Sequence, residues 1–347
     1  MSRSRAERTV QRIWRGDDAM ARVVRLALAP AEGLYRGIVA ARGALYDAGV
    51  LPSRRPALPS ISVGNLSVGG TGKTPVSAYV AARLREKGGL PAIVLRGYGG
   101  DEPLVHATLN PAIPVVVSPD RLQGVERARV LGADVAVLDD AFQHRRARRS
   151  ADVVLLSAES WSDQRRLLPA GPWREPLRAL RRATLAVVTR KAAGPVDASR
   201  VREAIRRAVP ELPVVIVALQ PGELRDSRGP GRAPLTDIVG RKVVAIAAIG
   251  DPDSFVRQLE RAGAASVTPH VFPDHYEFSD ADAQRLALSS SGADVVVCTL
   301  KDAVKLGPHW PAEAPRLWYV SQHTVVEQGG ESLEGVLDAL LAARSTY

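Results

Sequence analysis

A glycine-rich loop between an apolar run and a helix-length segment carries the clearest chemical signal in the sequence. After residues 61–64 the chain reaches the triplet Gly72, Lys73 and Thr74. Glycines let successive backbone N–H groups curl around an anion, and the start of a following helix adds partial positive charge. In such a loop the lysine reaches the β- and γ-phosphates, and the threonine hydroxyl holds Mg²⁺. The residues predicted to bind the nucleotide are Ser67, Val68, Gly69, Gly70, Thr71, Gly72, Lys73 and Thr74.

The match to this pattern is imperfect at its first position, where Ser67 replaces the usual glycine. A Gly-Lys-Thr triplet can also occur by chance in a surface loop that binds nothing. The apolar run before the loop, the helical segment after it and the glycines around it together favour a phosphate site.

Two consecutive carboxylates, Asp139 and Asp140, end the apolar run 135–138. Enzymes with a phosphate loop place a magnesium-binding aspartate at the end of a neighbouring strand, because the metal bridges phosphate oxygens beside the loop. The same pair also fits ordinary turn chemistry. Its occurrence downstream of a phosphate loop favours the Mg²⁺ interpretation. The arginines at 145, 146, 148 and 149 either form a solvated surface or contact an anionic substrate.

Short apolar runs alternate with helix-length segments along most of the chain, which predicts an α/β fold with a parallel sheet covered on both faces. The predicted helices include 74–86, 120–131 and 254–262. The predicted strands are 60–64, 92–96, 115–118, 135–139, 153–157, 185–189, 214–219, 243–249, 294–299 and 317–321.

A length of 347 residues exceeds what one hydrophobic core usually serves, so two domains are expected. The segment 220–237 is rich in Gly, Pro, Arg and Asp, and we interpret it as the region that separates them. The predicted divisions are a basic helical segment at 1–50, a phosphate-loop domain at 51–222 and a second α/β domain at 223–347.

The composition is that of a globular protein, with a net charge of +10 that points to an anionic partner. Nucleic acid, a phosphate-rich substrate and an acidic membrane all fit this charge. Cys298 is the one cysteine, so an internal disulfide is excluded and a cytoplasmic compartment is favoured.

The N-terminal region has helical apolar spacing from residue 34 onward, with arginines between the apolar residues. Pro30 is expected to break or kink the segment near its middle. Such an amphipathic helix either lies in a membrane interface or packs on the protein's own core. The region lacks the features of a signal peptide and of a conventional spanning helix.

An ordered series of short motifs resembles the lipid A 4′-kinases (tetraacyldisaccharide 4′-kinases) from about residue 33 to near the C-terminus. Each motif alone is weak, but their number and order are hard to obtain otherwise, and in this family serine is acceptable at position 67. The motifs are Ser62-Val63-Gly64-Asn65-Leu66, Gly69-Gly70-Thr71-Gly72-Lys73-Thr74-Pro75, Arg96-Gly97-Tyr98-Gly99-Gly100, Asp101-Glu102-Pro103, Asp139-Asp140-x-x-Gln143-His144, the nonapeptide at 168–176, Ile249-Gly250-Asp251-Pro252, Phe272-Pro273-Asp274-His275 and the heptapeptide at 299–305.

The resemblance implies transfer of the γ-phosphate of ATP, with Mg²⁺, to the 4′-hydroxyl of a tetraacylated glucosamine disaccharide 1-phosphate in lipid A biosynthesis. It also implies a peripheral enzyme on the cytoplasmic face of the bacterial inner membrane, where the N-terminal helix engages the bilayer. The implied fold is a P-loop domain with a parallel sheet and a second, smaller α/β domain, with the active site in the cleft between them. No nucleic-acid partner is expected.

Family roles carry over at matching positions. Asp101 matches an aspartate thought to act with a histidine of the second domain, here His275, as a dyad that activates the sugar hydroxyl. Either Asp101 or one of the two carboxylates at 139 and 140 would remove the hydroxyl proton. The other matched residues are Lys73 and Thr74 for phosphate and Mg²⁺, Asp139 and Asp140 for Mg²⁺ and catalysis, and the motif residues Arg96, Gln143, His144, Arg174 and Lys301.

The sequence departs from the family pattern in three places. A loop usually separates the motifs that fuse here at residues 97–103, and its loss predicts a slightly displaced Asp101 and altered binding of lipid or nucleotide. Ala141 replaces a glycine, with a conformational cost if that position needs a positive φ. Leu300 replaces a glutamate. An active enzyme is nevertheless expected, because the predicted catalytic residues are all present.

Three other functions remain open at this level. A soluble P-loop kinase or NTPase acting on another phosphorylated sugar or metabolite would share the loop and the acidic pair. A nucleic-acid-binding ATPase fits the charge, but dispersed arginines and only 5% aromatic residues speak against it. A membrane-bound module with a degenerate kinase fold would account for the three departures.

Overall fold

Strands and helices alternate along the chain, as the apolar runs predict. The computed structural model describes residues 2–97 and 100–347, with side chains from Thr9 onward. Tyr98 and Gly99 of the predicted Arg-Gly-Tyr-Gly-Gly motif lie outside the described residues. The strands are β1 (Ser60–Asn65), β2 (Pro91–Leu95), β3 (Val115–Val117), β4 (Val135–Asp139), β5 (Ala151–Ser157), β6 (Leu185–Arg190), β7 (Val214–Asp226), β8 (Arg232–Ala233), β9 (Lys242–Ala247), β10 (Ser266–Val271), β11 (Val295–Thr299) and β12 (Leu317–Gln328).

The helices cover the segments between most of these strands. The predicted helix at 120–131 forms with Asp120 as its N-cap, because the Asp120 side chain accepts a hydrogen bond from the Leu122 N–H at 2.9 Å. The helices are α1 (Ser2–Arg15), α2 (Ala19–Ala27), α3 (Ala29–Asp47), α4 (Lys73–Glu86), α5 (Asp101–Leu109), α6 (Arg121–Val130), α7 (Pro195–Ala208), α8 (Pro252–Arg261), α9 (Asp280–Ser289), α10 (Leu300–Leu306) and α11 (Gly330–Ala342).

The chain forms two compact units. The first contains residues 1–97, 106–218 and 324–347, and the second contains residues 98–105 and 219–323. The sequence had placed 98–105 with the first domain and 324–347 with the second. The C-terminal segment belongs to the first unit because Glu334 on α11 forms ion pairs with Arg83 at 3.0 Å and Lys87 at 2.8 Å.

The first unit is built on parallel strands in the order β3-β2-β4-β1-β5-β6-β7. All positions of β1, β2 and β4 are buried, as expected for strands covered on both faces. The carboxyl ends of β1 and β4 are adjacent, with Val63 opposite Asp139. The phosphate loop after β1 and the acidic pair after β4 therefore start side by side.

The second unit contains the parallel neighbours β10-β9-β11-β12. The sequence did not predict β10, because this edge strand is mostly exposed and contains Pro269. The segment 220–237, which we interpret as the region between the domains, begins within a strand. Strand β7 continues through Asp226. It pairs antiparallel with β8, with Leu224 opposite Ala233.

The N-terminal region is helical, and its predicted break occurs at Leu28, between α2 and α3, just before Pro30 in the first turn of α3. One face of α3 packs on the first unit. Its Tyr35 hydroxyl donates to the Arg174 carbonyl at 3.0 Å, and its buried Glu32 accepts from the Leu167 N–H at 2.9 Å. Within the described residues, no helix is both long and apolar enough to span a bilayer.

Two of the arginines that follow the acidic pair bind the protein itself. Arg145 forms an ion pair with Asp47 at 2.6 Å, and Arg149 forms one with Asp152 at 2.9 Å. These contacts fix the segment after β4 to α3 and to β5. A solvated surface is therefore the wrong interpretation for these two side chains.

Candidate active site

The glycine-rich loop connects β1 to α4 and is held by side chains of two strands. Gly72 precedes α4 with a φ of 82°, a left-handed conformation that glycine adopts without strain. The Asn65 side chain donates to the Thr71 hydroxyl at 2.8 Å, and the Thr189 hydroxyl donates to the Thr71 carbonyl at 2.9 Å. Helix α4 then begins at Lys73. The loop has the strand-loop-helix geometry that binds phosphate groups.

The nonapeptide motif at 168–176 braces the start of this loop. The Val68 N–H donates to the Pro172 carbonyl at 2.8 Å, and the Arg174 N–H donates to the Leu66 carbonyl at 2.7 Å. Backbone hydrogen bonds of this kind fix the path of the loop without using side chains. The motif therefore has a positioning role that its sequence alone did not reveal.

Asp139 is a buried carboxylate with a hydrogen-bond partner on each oxygen. Oδ1 accepts from the Ser77 hydroxyl at 2.9 Å, and Oδ2 lies 3.0 Å from Nε2 of His106. Burial acts to raise the pKa of Asp139, but the hydrogen bond and charge of His106 and the charge of Lys73 outweigh it and lower the pKa. Asp139 therefore stays ionised next to the loop.

Asp140 is the more accessible member of the acidic pair and lies between two cations. Its Oδ1 is 3.8 Å from Nζ of Lys73 and 3.1 Å from Nη1 of Arg174. Its φ of 47° places it in the left-handed region, which non-glycine residues rarely adopt and which often marks functional sites. Ala141 does not have a positive φ, so the expected conformational cost at that position does not arise.

The remaining predicted residues of the first unit lie on α4, after β2 and after β4. Thr74 lies in the first turn of α4 and is half-buried, and Arg96 directly follows β2 and is exposed. Gln143 donates to the Asn65 carbonyl at 2.8 Å, which ties the loop after β4 to the end of β1. Burial lowers the pKa of His144. Gln143 therefore supports the loop through a backbone carbonyl.

His106 is a site residue that the sequence analysis missed. It is fully buried on α5 and contacts Asp139 from a position 33 residues earlier in the chain. A single histidine in a helix has no local signal for such a contact. The contact with Asp139 depends on how α5 packs against β4, which only the structure shows.

Asp101 and His275 meet within the second unit. Asp101 is the first residue of α5 and is 1% exposed, and its Oδ1 lies 3.0 Å from Nδ1 of His275. His275 has a φ of 59°, so it also adopts the left-handed conformation. The shortened segment at 97–103 therefore does not separate the two side chains. Both residues belong to the second unit, whereas the predicted divisions place Asp101 in the first α/β domain and His275 in the second.

The electrostatics of this pair favour a carboxylate beside a protonated imidazole. Burial acts to raise the pKa of Asp101, but the hydrogen bond with His275 and the charge of Lys301 outweigh it and lower the pKa. The same hydrogen bond raises the pKa of His275, against the effect of its partial burial. Lys301 Nζ lies 3.7 Å from Asp101 Oδ2.

Leu300, the third departure from the family pattern, is the first residue of α10. The helix keeps a complete cap without a carboxylate at that position. The Thr299 hydroxyl donates to Asp302 at 2.6 Å and accepts from the Asp302 N–H at 3.3 Å.

Three comparisons with known proteins agree with this geometry. A family model described as tetraacyldisaccharide-1-P 4′-kinase (LpxK) matches residues 24–342. A tetraacyldisaccharide 4′-kinase of Anaeromyxobacter dehalogenans is 40% identical over 343 residues, covering 90% of this chain and 89% of that protein. One of Halorhodospira halophila is 39% identical, covering 90% and 91% respectively.

A solved structure of LpxK from Aquifex aeolicus, described as an apo form in complex with ATP, has a similar fold. It matches with a TM-score of 0.73 and 30% identity, covering 91% of this chain and 99% of that one. The α/β fold with a large, mostly parallel sheet is therefore confirmed.

These relatives also decide among the functions that the sequence left open. They confirm an ATP-using kinase of lipid A biosynthesis, and they favour it over a kinase for another sugar, a nucleic-acid ATPase and a degenerate module. The glycine-rich loop, the acidic pair and the carboxylate–imidazole pair all occur in a chain that matches the family over most of its length, and this chain belongs to the tetraacyldisaccharide-1-phosphate 4′-kinase family.

Proposed function

We propose that this kinase transfers the γ-phosphate of ATP to the 4′-hydroxyl of tetraacyldisaccharide 1-phosphate with the residues described above. The glycine-rich loop and the start of α4 bind the phosphates through backbone N–H groups, and Lys73 neutralises charge on the transferred group. The observation that carries the nucleotide half of this proposal is the loop geometry, with Lys73 3.8 Å from Asp140. Arg174 adds a second cation beside the same carboxylate.

The donors beside the loop fit a magnesium ion. Mg²⁺ prefers oxygen ligands, keeps several waters and is usually held by one or two carboxylates together with substrate phosphates. Thr74 offers a hydroxyl, Asp140 offers a partly exposed carboxylate, and the oxygens of Asp139 keep further lone pairs beyond those used by Ser77 and His106. We assign Mg²⁺ binding to Thr74, Asp139 and Asp140. Bound there, the ion would offset negative charge on the phosphates.

Asp101 is the group proposed to take the proton of the acceptor hydroxyl. A sugar hydroxyl is a weak nucleophile, and a positioned carboxylate removes its proton as the bond to phosphorus forms. Asp101 keeps Oδ2 without a hydrogen-bond partner among the described residues, whereas Asp139 has partners on both oxygens and Asp140 pairs with two cations. His275 orients the carboxylate through Oδ1. The location of the site in a cleft between domains stays a prediction.

The N-terminal helices are proposed to rest on the cytoplasmic surface of the inner membrane. Large apolar side chains of α2 and α3 are exposed although the opposite face of α3 packs on the first unit. An amphipathic face of this kind, with arginines beside it, fits the interface of an anionic bilayer. The exposed side chains are Met20 at 68%, Val23 at 63%, Leu26 at 71%, Leu34 at 69% and Ile38 at 57%.

Two substitutions separate the nucleotide site from the acceptor site. Lys73→Ala is expected to lose transfer and to weaken ATP binding, because it removes the cation that contacts the phosphates. His275→Ala is expected to lose transfer by about two orders of magnitude but to keep ATP binding. Isothermal calorimetry with ATP and a transfer assay measure the two properties. Equal loss of ATP affinity in both variants would contradict this division of roles.

A further inference from the structure

The second carboxylate oxygen of Asp101 lies in an unusual environment. Oδ2 is buried and has no hydrogen-bond partner among the described residues. Two ammonium groups lie just beyond hydrogen-bond distance, with Nζ of Lys301 at 3.7 Å and Nζ of Lys305 at 3.8 Å. The charged and titratable groups around Asp101 are Glu102 on its own helix, Asp274 and His275 on the segment after β10, and Lys301 and Lys305 on α10.

The two lysines differ in burial and in how firmly they are held. The Lys305 side chain is 5% exposed, its Nζ donates to the Tyr276 carbonyl at 2.8 Å, and it lies over the Phe278 ring. The Lys301 side chain is 32% exposed, and it lies between two carboxylates, 3.9 Å from that of Asp274. Lys305 is therefore a fixed charge in a low-dielectric environment, whereas water screens Lys301.

We propose that Lys305 is a positioning residue for catalysis, whose buried ammonium keeps the Asp101 carboxylate ionised and holds its free oxygen ready to accept the acceptor's proton. The inference rests on the proposed role of Asp101 as the base. A buried carboxylate without a compensating charge takes up a proton, and a protonated Asp101 cannot accept one.

The contacts around Asp101 support a division of work between His275 and Lys305. His275 binds Oδ1 and sets the rotation of the carboxylate. Lys305 attracts Oδ2 from a distance that leaves its lone pairs open for the substrate. The hydrogen bond with His275 and the charges of Lys301, His275 and Lys305 together lower the pKa of Asp101 against burial that acts to raise it.

The test compares three variants by the pH dependence of kcat/KM for the lipid acceptor. Lys305→Gln removes the charge but keeps a donor for the Tyr276 carbonyl, so that the fold is preserved. It is expected to move the acid limb of the profile up by about one pH unit and to lower kcat about tenfold, with the Kd for ATP unchanged. Lys305→Arg restores the charge and should return the limb towards its wild-type position.

Lys301→Gln is the matched control, since it removes a charge at a similar distance that is more accessible to water. It is expected to move the acid limb by much less than Lys305→Gln. An unmoved limb in Lys305→Gln, or an equal shift in both variants, would overturn the inference. A lowered melting temperature with an unmoved limb would show a merely structural role.

Asp101→Asn distinguishes failure of this inference from failure of the proposed function. If Asp101→Asn loses transfer and Lys305→Gln leaves the acid limb of the pH profile in place, only the inference about Lys305 is wrong and the proposed function stands. If Asp101→Asn keeps transfer, the assignment of the base is wrong and the inference about Lys305 is wrong with it.

Discussion

At the scale of single residues, the structure gives three of the predicted catalytic aspartates different surroundings. Asp139 is buried and hydrogen-bonded on both oxygens. Asp140 lies beside two cations. Asp101 forms a hydrogen bond with His275 through one of its oxygens. The same side-chain type can therefore serve positioning, charge balance and proton transfer. The distinction depends on neighbours that are distant in sequence, such as His106 for Asp139.

The carboxylate–imidazole pair leads to a pH-dependent contribution to stability. The pKa of His275 is raised above 6.5 in the folded protein, mainly by its hydrogen bond with Asp101. A raised folded pKa contributes stability that is fully present below the unfolded pKa and is lost as the pH rises through the folded value. We expect His275→Gln to lower the melting temperature more at pH 5.5 than at pH about 8.5.

Thermal unfolding of both proteins across this pH range measures the effect. Asp101 stays ionised over the range, because its pKa is lowered from 3.8. In an Asp101→Asn background the effect of His275→Gln should no longer depend on pH. A constant difference in melting temperature between wild type and His275→Gln would contradict the ion pair.

At the scale of elements, α3 has one face that packs on the protein and another that is exposed. One face docks on the first unit through Tyr35 and Glu32. The other face exposes Leu34 and Ile38, one helical turn apart. Docking on the protein and contact with a membrane are therefore compatible in one helix.

Replacing this exposed face tests the proposed membrane contact. The double change Leu34→Ser and Ile38→Ser should weaken binding to vesicles of phosphatidylethanolamine and phosphatidylglycerol by at least about tenfold, because it removes apolar area that would enter the interface. The melting temperature should hardly change, since both side chains are exposed. Co-sedimentation with the vesicles measures the binding.

Another exposed apolar pair of the first unit provides the control. Val130 is 74% exposed and Leu131 is 62% exposed at the end of α6. Their replacement by serine should leave vesicle binding close to that of the wild type. Equal losses for both pairs, or no loss for either, would contradict contact through α3.

At the scale of the whole molecule, the sequence carried most of the information on the strands and on the phosphate loop. Runs such as Val135–Asp139 are apolar because both sheet faces are covered. Such a strand can therefore be recognised from its own residues, without knowing which strands lie beside it. The loop was readable because backbone phosphate binding requires glycines next to a helix start.

Other features depend on contacts between distant segments and were not readable. Strand β10 was missed because an exposed edge strand lacks apolar character. Residues 100–105 belong to the second unit, where Asp101 contacts His275 at a separation of 174 residues in the chain. The left-handed conformations of Asp140 and His275 likewise result from the surrounding structure rather than from the residue types alone.

The central claim is that this chain, with its shortened segment at 97–103, is a working lipid kinase. The most direct measurement is transfer of labelled γ-phosphate from ATP to tetraacyldisaccharide 1-phosphate in detergent micelles, beside a Lys73→Ala control. We predict a labelled bisphosphorylated lipid with the wild-type protein and its loss with Lys73→Ala. Binding of ATP by the wild type without any labelled lipid, under conditions in which a related kinase is active, would contradict the claim.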